Sequence, residues 1–127
     1  AYWQRRLEIW QRYQREFADL PLGLPAPWPA DERHALHLFT ILVDEAQCGI
    51  SRDQMLLHLH RRNIGTGVHY RSIPNMTVYR ERFGWSPEQW PAARTIGDRT
   101  LSLPLSARLD DDDVGDVITA VRAAFGR

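Results

Sequence analysis

The sequence predicts a small α/β (α+β) domain, in which helices pack on one sheet of three or four strands. The chain has 127 residues, the size of one domain, so residues 1–127 are expected to share one core. Hydrophobic residues make up 43% and charged residues 25%, the balance of an ordinary globular protein. Helical and strand patterns also alternate, in the order α-β-α-β-α-α-β-α.

The first half of the chain contains one long helical pattern and one clear strand pattern. Residues 2–19 predict an amphipathic helix, because large apolar residues recur on one face at Trp3, Leu7, Trp10 and Phe17. The proline-rich loop "PLGLPAPWP" follows. The apolar stretch "HALHLFTILVD", residues 34–44, predicts a buried strand, and "EAQCGI" after it predicts a loop.

Capping signals define the next elements. Ser51 and Gln54 form a capping box that starts a helix, which is expected to end at Gly65 before a short strand, "TGVHY". Residues 75–84 predict one or two helical turns. A second capping box, "SPEQ", begins a helix over residues 87–97.

The last elements are a strand and a helix. In "TLSLPL" leucines alternate with other residues, which predicts a half-buried strand. Asp110 is the predicted N-cap of the closing helix, and Asp111–Asp113 fill its first turn, where carboxylates favour the positive end of the helix dipole.

Composition excludes several classes of function. The single cysteine, Cys48, allows no internal disulfide, and a formal net charge of zero argues against a nucleic-acid partner. No apolar run is long enough to span a membrane, and the first residues show no secretion signal, so we expect a cytoplasmic protein. All sixteen basic residues are arginines, so this chain has no lysine for Schiff-base chemistry.

No metal centre is expected. His58 and His60 lie two positions apart on a predicted helix and therefore point about 200° apart. The acidic run Asp110–Asp113 lacks the spaced ligands and turn glycine of a calcium loop. Cys48 has no cationic neighbour in sequence that would favour a thiolate.

The stretch His69-Tyr70-Arg71 is the strongest candidate for a site. It ends the short predicted strand, and the loop "SIPNM" after it carries small and polar residues suited to lining a cleft. The residues alone leave two interpretations open. The stretch is either a binding site or a strand end capped by an arginine whose stem covers apolar surface.

Several ordered blocks of the sequence carry a family resemblance. They are "HLF", "VDE", "GISRD", "IGTGVHY", "IGDRTLSLPL" and the closing "DVITAVR". With these blocks the chain resembles the C-terminal small domain of DegT/DnrJ/StrS-type sugar-nucleotide aminotransferases. Residues 1–20 resemble the long helix that links the large domain to the small one, and residues 30–127 resemble the small domain.

The resemblance implies a pyridoxal phosphate enzyme with the type I aminotransferase fold that works as a homodimer. It implies transfer of an amino group from glutamate to a nucleotide-linked keto-sugar for surface polysaccharide synthesis. The cofactor lysine belongs to the large domain, so this chain alone is expected to bind no cofactor, to contain no catalytic residue and to be inactive. The resemblance assigns substrate contacts to His69, Tyr70, Arg71 and Asn75.

The alternative is a non-enzymatic protein-interaction module that self-associates. A domain separated from its partner exposes the apolar face that met it. The candidates for that exposure are four tryptophans, Trp3, Trp10, Trp28 and Trp85.

Overall fold

Helix α1 (Tyr2–Glu16) places a row of aromatic side chains against the sheet. The structure, a computed structural model, describes residues 1–126. Phe39 of the sheet lies among the rings of Trp10, Tyr13 and Phe17, with ring centroids 4.8, 5.1 and 6.5 Å away. The apolar stripe of the predicted helix is therefore confirmed as the centre of the core.

The regular sheet has two antiparallel strands, β1 (Phe39–Leu42) and β2 (Thr100–Leu103). Phe39 pairs with Leu103 and Leu42 with Thr100. A single bridge extends the sheet on each side, from Gly23 to Leu42 and from Gly67 to Ser102. The α+β class is confirmed, whereas the expected three or four strands are not, because the outer segments each pair at one position only.

The strand predicted over residues 34–44 is shorter than expected for a local reason. The backbone at Leu36 has a φ of 50°, and its N–H donates to Nδ1 of His34 at 2.9 Å. This turn-like contact keeps the first residues out of the sheet. Strand β2 also differs from expectation, since all four of its residues are buried rather than alternate ones.

Two helices follow β1. Asp44 caps α2 (Glu45–Cys48), a single turn inside the segment predicted as a loop. Helix α3 (Arg52–His60) begins at the predicted Ser51–Gln54 capping box. The left-handed residue after α3 is Asn63, with a φ of 59°, and not Gly65 as expected.

The segment before β2 forms short helices. A 3-10 turn (Ile73–Asn75) leads into α4 (Thr77–Phe83), which ends at Gly84. The predicted box at Ser86 caps a second 3-10 turn (Pro87–Gln89), and α5 (Pro91–Arg99) follows.

Helix α6 (Asp111–Ala123) closes the fold against α1 and α3. Asp110 is its N-cap, as the sequence predicts, and forms a capping box with Asp113. Arg122 fixes its last turn by donating to both carboxylate oxygens of Asp19, at 2.8 and 3.0 Å. The core therefore lies between α1, the sheet, α3 and α6.

Candidate functional site

The imidazole of His69 is held at the outer edge of β2. Its Nδ1 lies 2.9 Å from Oγ of Ser102, a residue that is only 4% exposed. The backbone of Gly67 forms two hydrogen bonds with that of Ser102, at 3.2 and 2.8 Å. The sheet edge thus fixes both the segment that carries His69 and the partner of its ring.

Gly67 has a steric role at this edge. A Cβ on Gly67 would lie 2.5 Å from Cε1 of His69, closer than real Cβ atoms approach other heavy atoms. The imidazole therefore occupies the space that a side chain at position 67 would need. The sequence singled out the histidine but neither Gly67 nor Ser102.

Tyr70 and Arg71 lie on the open surface beside His69. The tyrosine is 74% exposed, and its ring meets the imidazole edge to face at a centroid distance of 5.0 Å. The peptide bond between His69 and Tyr70 is cis. Arg71 is exposed as well. The structure therefore brings the two rings together and leaves a guanidinium next to them in solvent.

Asn75 is directed toward α5. Its Nδ2 donates to Oδ1 of Asp98 at 3.0 Å, and its Oδ1 is buried without a hydrogen-bond partner among residues 1–126. Oγ of Ser72 is also buried without a hydrogen-bond partner in this range. The loop rests closely on α5, because a Cβ on Gly97 would lie 2.5 Å from the Ser72 nitrogen. The side chain of Asn75 thus joins this loop to α5.

The cavities described on the surface are lined by other residues. A cleft of about 230 Å³ lies between the loop and α5, lined by Ile73, Pro74, Trp85, Trp90 and Ala93. A second, of about 510 Å³, lies between α1 and the proline-rich loop, beside Trp10 and Trp28. Because Tyr70 and Arg71 are themselves exposed, the His69 group lies on an open face of the domain.

Exposed apolar side chains cluster in the same part of the chain. We call them the apolar surface, and it consists of Tyr70, Ile73, Met76, Val78, Phe83, Trp90 and Ile96. The expectation that Trp10 is exposed is wrong, since it is 5% exposed in the core. Trp3, Trp28 and Trp85 are half-buried.

Two groups elsewhere, the buried Tyr13 and the half-buried Cys48, have raised pKa values. Burial raises the pKa of Tyr13, whose hydroxyl donates to the Pro104 carbonyl at 3.0 Å. Burial also raises the pKa of Cys48, whose thiol lies 2.9 Å from the Pro21 carbonyl. A raised pKa makes Cys48 a poor nucleophile at neutral pH.

The described residues contain neither a cluster of metal ligands nor a membrane-spanning helix. Across residues 1–126, no three His, Cys, Asp or Glu side chains converge in a way that could hold a metal ion. Within the same range, no helix combines the length and apolar character needed to cross a bilayer.

Comparisons with known proteins agree on one family. The profile of the DegT/DnrJ/EryC1/StrS aminotransferase family matches residues 1–122. The chain is 44% identical over 121 residues to the spore coat polysaccharide biosynthesis protein SpsC of Bacillus subtilis (strain 168), covering 94% of this chain and 31% of that protein.

Solved structures give the same result. Spr1654 of Streptococcus pneumoniae, described as a candidate sugar aminotransferase, is 26% identical with a TM-score of 0.85, over 98% of this chain and 31% of that one. DesV of S. venezuelae is 31% identical with a TM-score of 0.81, over 99% and 32%. The chain thus spans about a third of the length of these relatives, and it belongs to the DegT/DnrJ/EryC1/StrS aminotransferase family.

Proposed function

We propose that this chain is the C-terminal domain of a pyridoxal phosphate-dependent aminotransferase that acts on nucleotide-linked keto-sugars. Family membership supports the reaction class. SpsC, named for spore coat polysaccharide biosynthesis, supports a role in surface polysaccharide synthesis, and Spr1654 has been solved in a PLP form. Glutamate is the proposed amino donor. In this proposal residues 1–20 link a large domain to the small domain of residues 30–127, and the parent is a homodimer.

The cofactor does not fit the residues of this chain. When bound, pyridoxal phosphate supplies the electron sink for amino transfer, and an enzyme holds it through a lysine. The sequence has sixteen arginines and no lysine. The group would therefore be held by parts of the parent outside this chain, and the residues described here take part by binding substrate.

The observation that carries the proposal is the contact between the His69 and Tyr70 rings at the open sheet edge, with the exposed Arg71 next in sequence. The imidazole is fixed by Ser102, the exposed Tyr70 ring packs on it, and Arg71 is free to reach an anion. A guanidinium forms strong charge-assisted hydrogen bonds to phosphate oxygens. This face is suited to hold the diphosphate of a sugar nucleotide, with Asn75 supporting the loop behind it.

The test is a pair of arginine variants in the full-length parent. Arg71→Ala is expected to raise KM for the nucleotide sugar roughly tenfold or more, the effect of losing one charge-assisted hydrogen bond. Arg61→Ala, another exposed arginine, is the matched control and should leave KM unchanged. An unchanged KM in Arg71→Ala would rule out a role in substrate binding.

The chain alone provides a second test. We expect no transaminase activity from it, and no visible absorbance from pyridoxal phosphate that survives dialysis. A retained band would contradict the proposal that the cofactor is anchored outside this chain.

The apolar surface favours a second candidate function, protein–protein interaction. Its residues are contiguous in sequence with the candidate site, and Tyr70 belongs to both. About two thirds of each relative's length lies outside the region that this chain matches. We propose that the remainder of the parent chain covers this surface, so that the interaction and the enzyme activity belong to one molecule.

A further inference from the structure

We propose that Ser102 is a positioning residue that holds the neutral imidazole of His69 with its proton on Nε2. The ring then presents one N–H donor outward, toward an anionic oxygen of the substrate. The identity of that substrate rests on the proposed function, whereas the orientation of the ring rests on the contacts of Ser102 alone.

The first step concerns the hydroxyl proton of Ser102. The residue is 4% exposed, so its O–H has little access to water. Its backbone N–H and carbonyl are already paired with Gly67. Among residues 1–126, the hydrogen-bond partner of Oγ is Nδ1 of His69, at 2.9 Å.

The second step follows from the chemistry of the two groups. A buried hydroxyl donor is nearly always satisfied, so Oγ–H donates to Nδ1. A nitrogen that accepts a hydrogen bond carries no proton, and a neutral imidazole then carries its proton on the other nitrogen. The geometry therefore selects the Nε2–H form of His69.

The third step concerns the direction of Nε2. His69 is half-buried, and residues 1–126 give Nε2 no hydrogen-bond partner, yet it is not a buried unpaired atom. It therefore reaches solvent. Gly67 lies against the ring on one side, and the Tyr70 ring packs on it edge to face.

With its proton on Nε2, His69 can bind a hydrogen-bond acceptor of the substrate but not a donor. An outward N–H can donate to an oxygen of a phosphate, while the opposite tautomer would present a lone pair and repel that oxygen. Arg71, exposed beside it, supplies the positive charge. Ser102 thus affects binding without touching the substrate.

The tautomer can be measured directly by nitrogen NMR of the ring in the 127-residue chain. The two ring nitrogens of a neutral histidine have well-separated chemical shifts that report which one is protonated. We expect an Nε2–H signal in the wild type and a mixture of both tautomers in Ser102→Ala.

Two further variants control for folding. Ser72→Ala removes another buried hydroxyl, one that has no hydrogen-bond partner among residues 1–126, and should leave the His69 shifts unchanged. Ser102→Thr keeps the hydroxyl and should keep the Nε2–H signal. A wild-type ring protonated on Nδ1, or a Ser102→Ala spectrum identical to wild type, would overturn the proposal.

Kinetics of the full-length parent test the outward donor. Ser102→Ala is expected to raise KM for the nucleotide sugar several-fold, with a smaller change in kcat and none in KM for glutamate. An unchanged KM for the sugar would overturn the role of the donor. Failure of the parent to aminate any sugar nucleotide would instead remove the proposed function, and the NMR result would still decide the role of Ser102.

Discussion

At the scale of single residues, two nearby glycines differ in what surrounds them. Gly67→Ala places a methyl group 2.5 Å from the His69 ring, whereas nothing lies within 4 Å of a Cβ at Gly65. We expect Gly67→Ala to displace the His69 ring and to destabilise the chain by about 1 kcal/mol, the cost of losing its hydrogen bond to Ser102. Gly65→Ala should be neutral or stabilising by up to about 1 kcal/mol, since it restricts the unfolded chain. The midpoints of urea unfolding measure the stability of both variants. Equal midpoints would contradict the steric role of position 67.

Tyr13 gives a prediction for alkaline pH. Burial raises its pKa in the folded state above the ordinary value of 10.0. The buried phenol contributes fully to the stability of the fold at pH values below the pKa of the phenol in the unfolded chain. Above that pH the unfolded phenol ionises first, so the contribution is lost as the pH rises further. Stability should therefore fall above about pH 10.

The variant that tests this effect is Tyr13→Phe. It should cost about 1 kcal/mol at neutral pH for the lost hydrogen bond to Pro104. It should also show a shallower loss of stability above about pH 10. Tyr2→Phe is the control, since Tyr2 is 76% exposed. Parallel pH profiles for wild type and Tyr13→Phe would show that this phenol is not responsible.

The sequence indicated the residues proposed to contact substrate but not the residue that holds one of them in place. His69 stood out because of its residue type and its neighbours. Ser102 appeared as one polar residue in a leucine strand, and its partner is 33 positions away. Such a contact depends on how the strand edges meet, which the local pattern does not encode.

At the scale of elements, two helical glycines make a matched pair. Gly97 in α5 lies against the Ser72 backbone, where a Cβ would come within 2.5 Å of the nitrogen. Gly115 in α6 is open, with Nη2 of Arg12 nearest at 3.8 Å. Alanine normally stabilises a helix interior by about 1 kcal/mol relative to glycine.

We therefore expect opposite signs from the two alanine variants. Gly115→Ala should raise the melting temperature, because it gains helix propensity without a clash. Gly97→Ala should lower it, because backbone atoms of the loop must move away. Thermal unfolding followed by circular dichroism measures both, and stabilisation by Gly97→Ala would show that the loop is not packed as described.

The helix starts at Ser51 and Asp110 were predictable from sequence, whereas the extent of the strands was not. A cap depends on residues three positions apart, so these two caps are local. The box at Ser86 also forms, but it caps a 3-10 turn, and the helix predicted over residues 87–97 begins at Pro91. Strand extent depends on distant partners instead. The hydrogen bond from the Leu36 N–H to the His34 ring keeps the start of one predicted strand out of the sheet. The predicted strand "TGVHY" pairs with the sheet only at Gly67.

At the scale of the whole molecule, the apolar surface predicts self-association of the isolated chain. With its proposed partner missing, this surface should bury itself against a second copy. We expect sedimentation velocity to show a concentration-dependent increase in mass. Phe83→Gln on the surface should weaken the association, while Leu57→Gln on α3, also exposed, should not. A monomer at all concentrations in the wild type would contradict this prediction.

The family could be predicted from sequence because its blocks are ordered along nearly the whole chain, and the profile match over residues 1–122 confirms it. Which apolar side chains are exposed could not be predicted from the sequence. The four tryptophans were the natural candidates, yet Trp10 packs on Phe39 while Val78 and Ile96 are exposed. Side-chain size does not reveal which face of a short helix lacks a neighbour.

The bridges that flank the two strands also limit how copies of this chain could join. Exposed backbone groups along a strand act as a template for another strand and so lead to fibrous aggregates. Here Gly23 pairs with Leu42 on one flank, and on the other Gly67 pairs with Ser102 while Arg52 donates to the Thr100 carbonyl. Assemblies of this chain should therefore form through side chains, remain reversible on dilution and bind no amyloid dye.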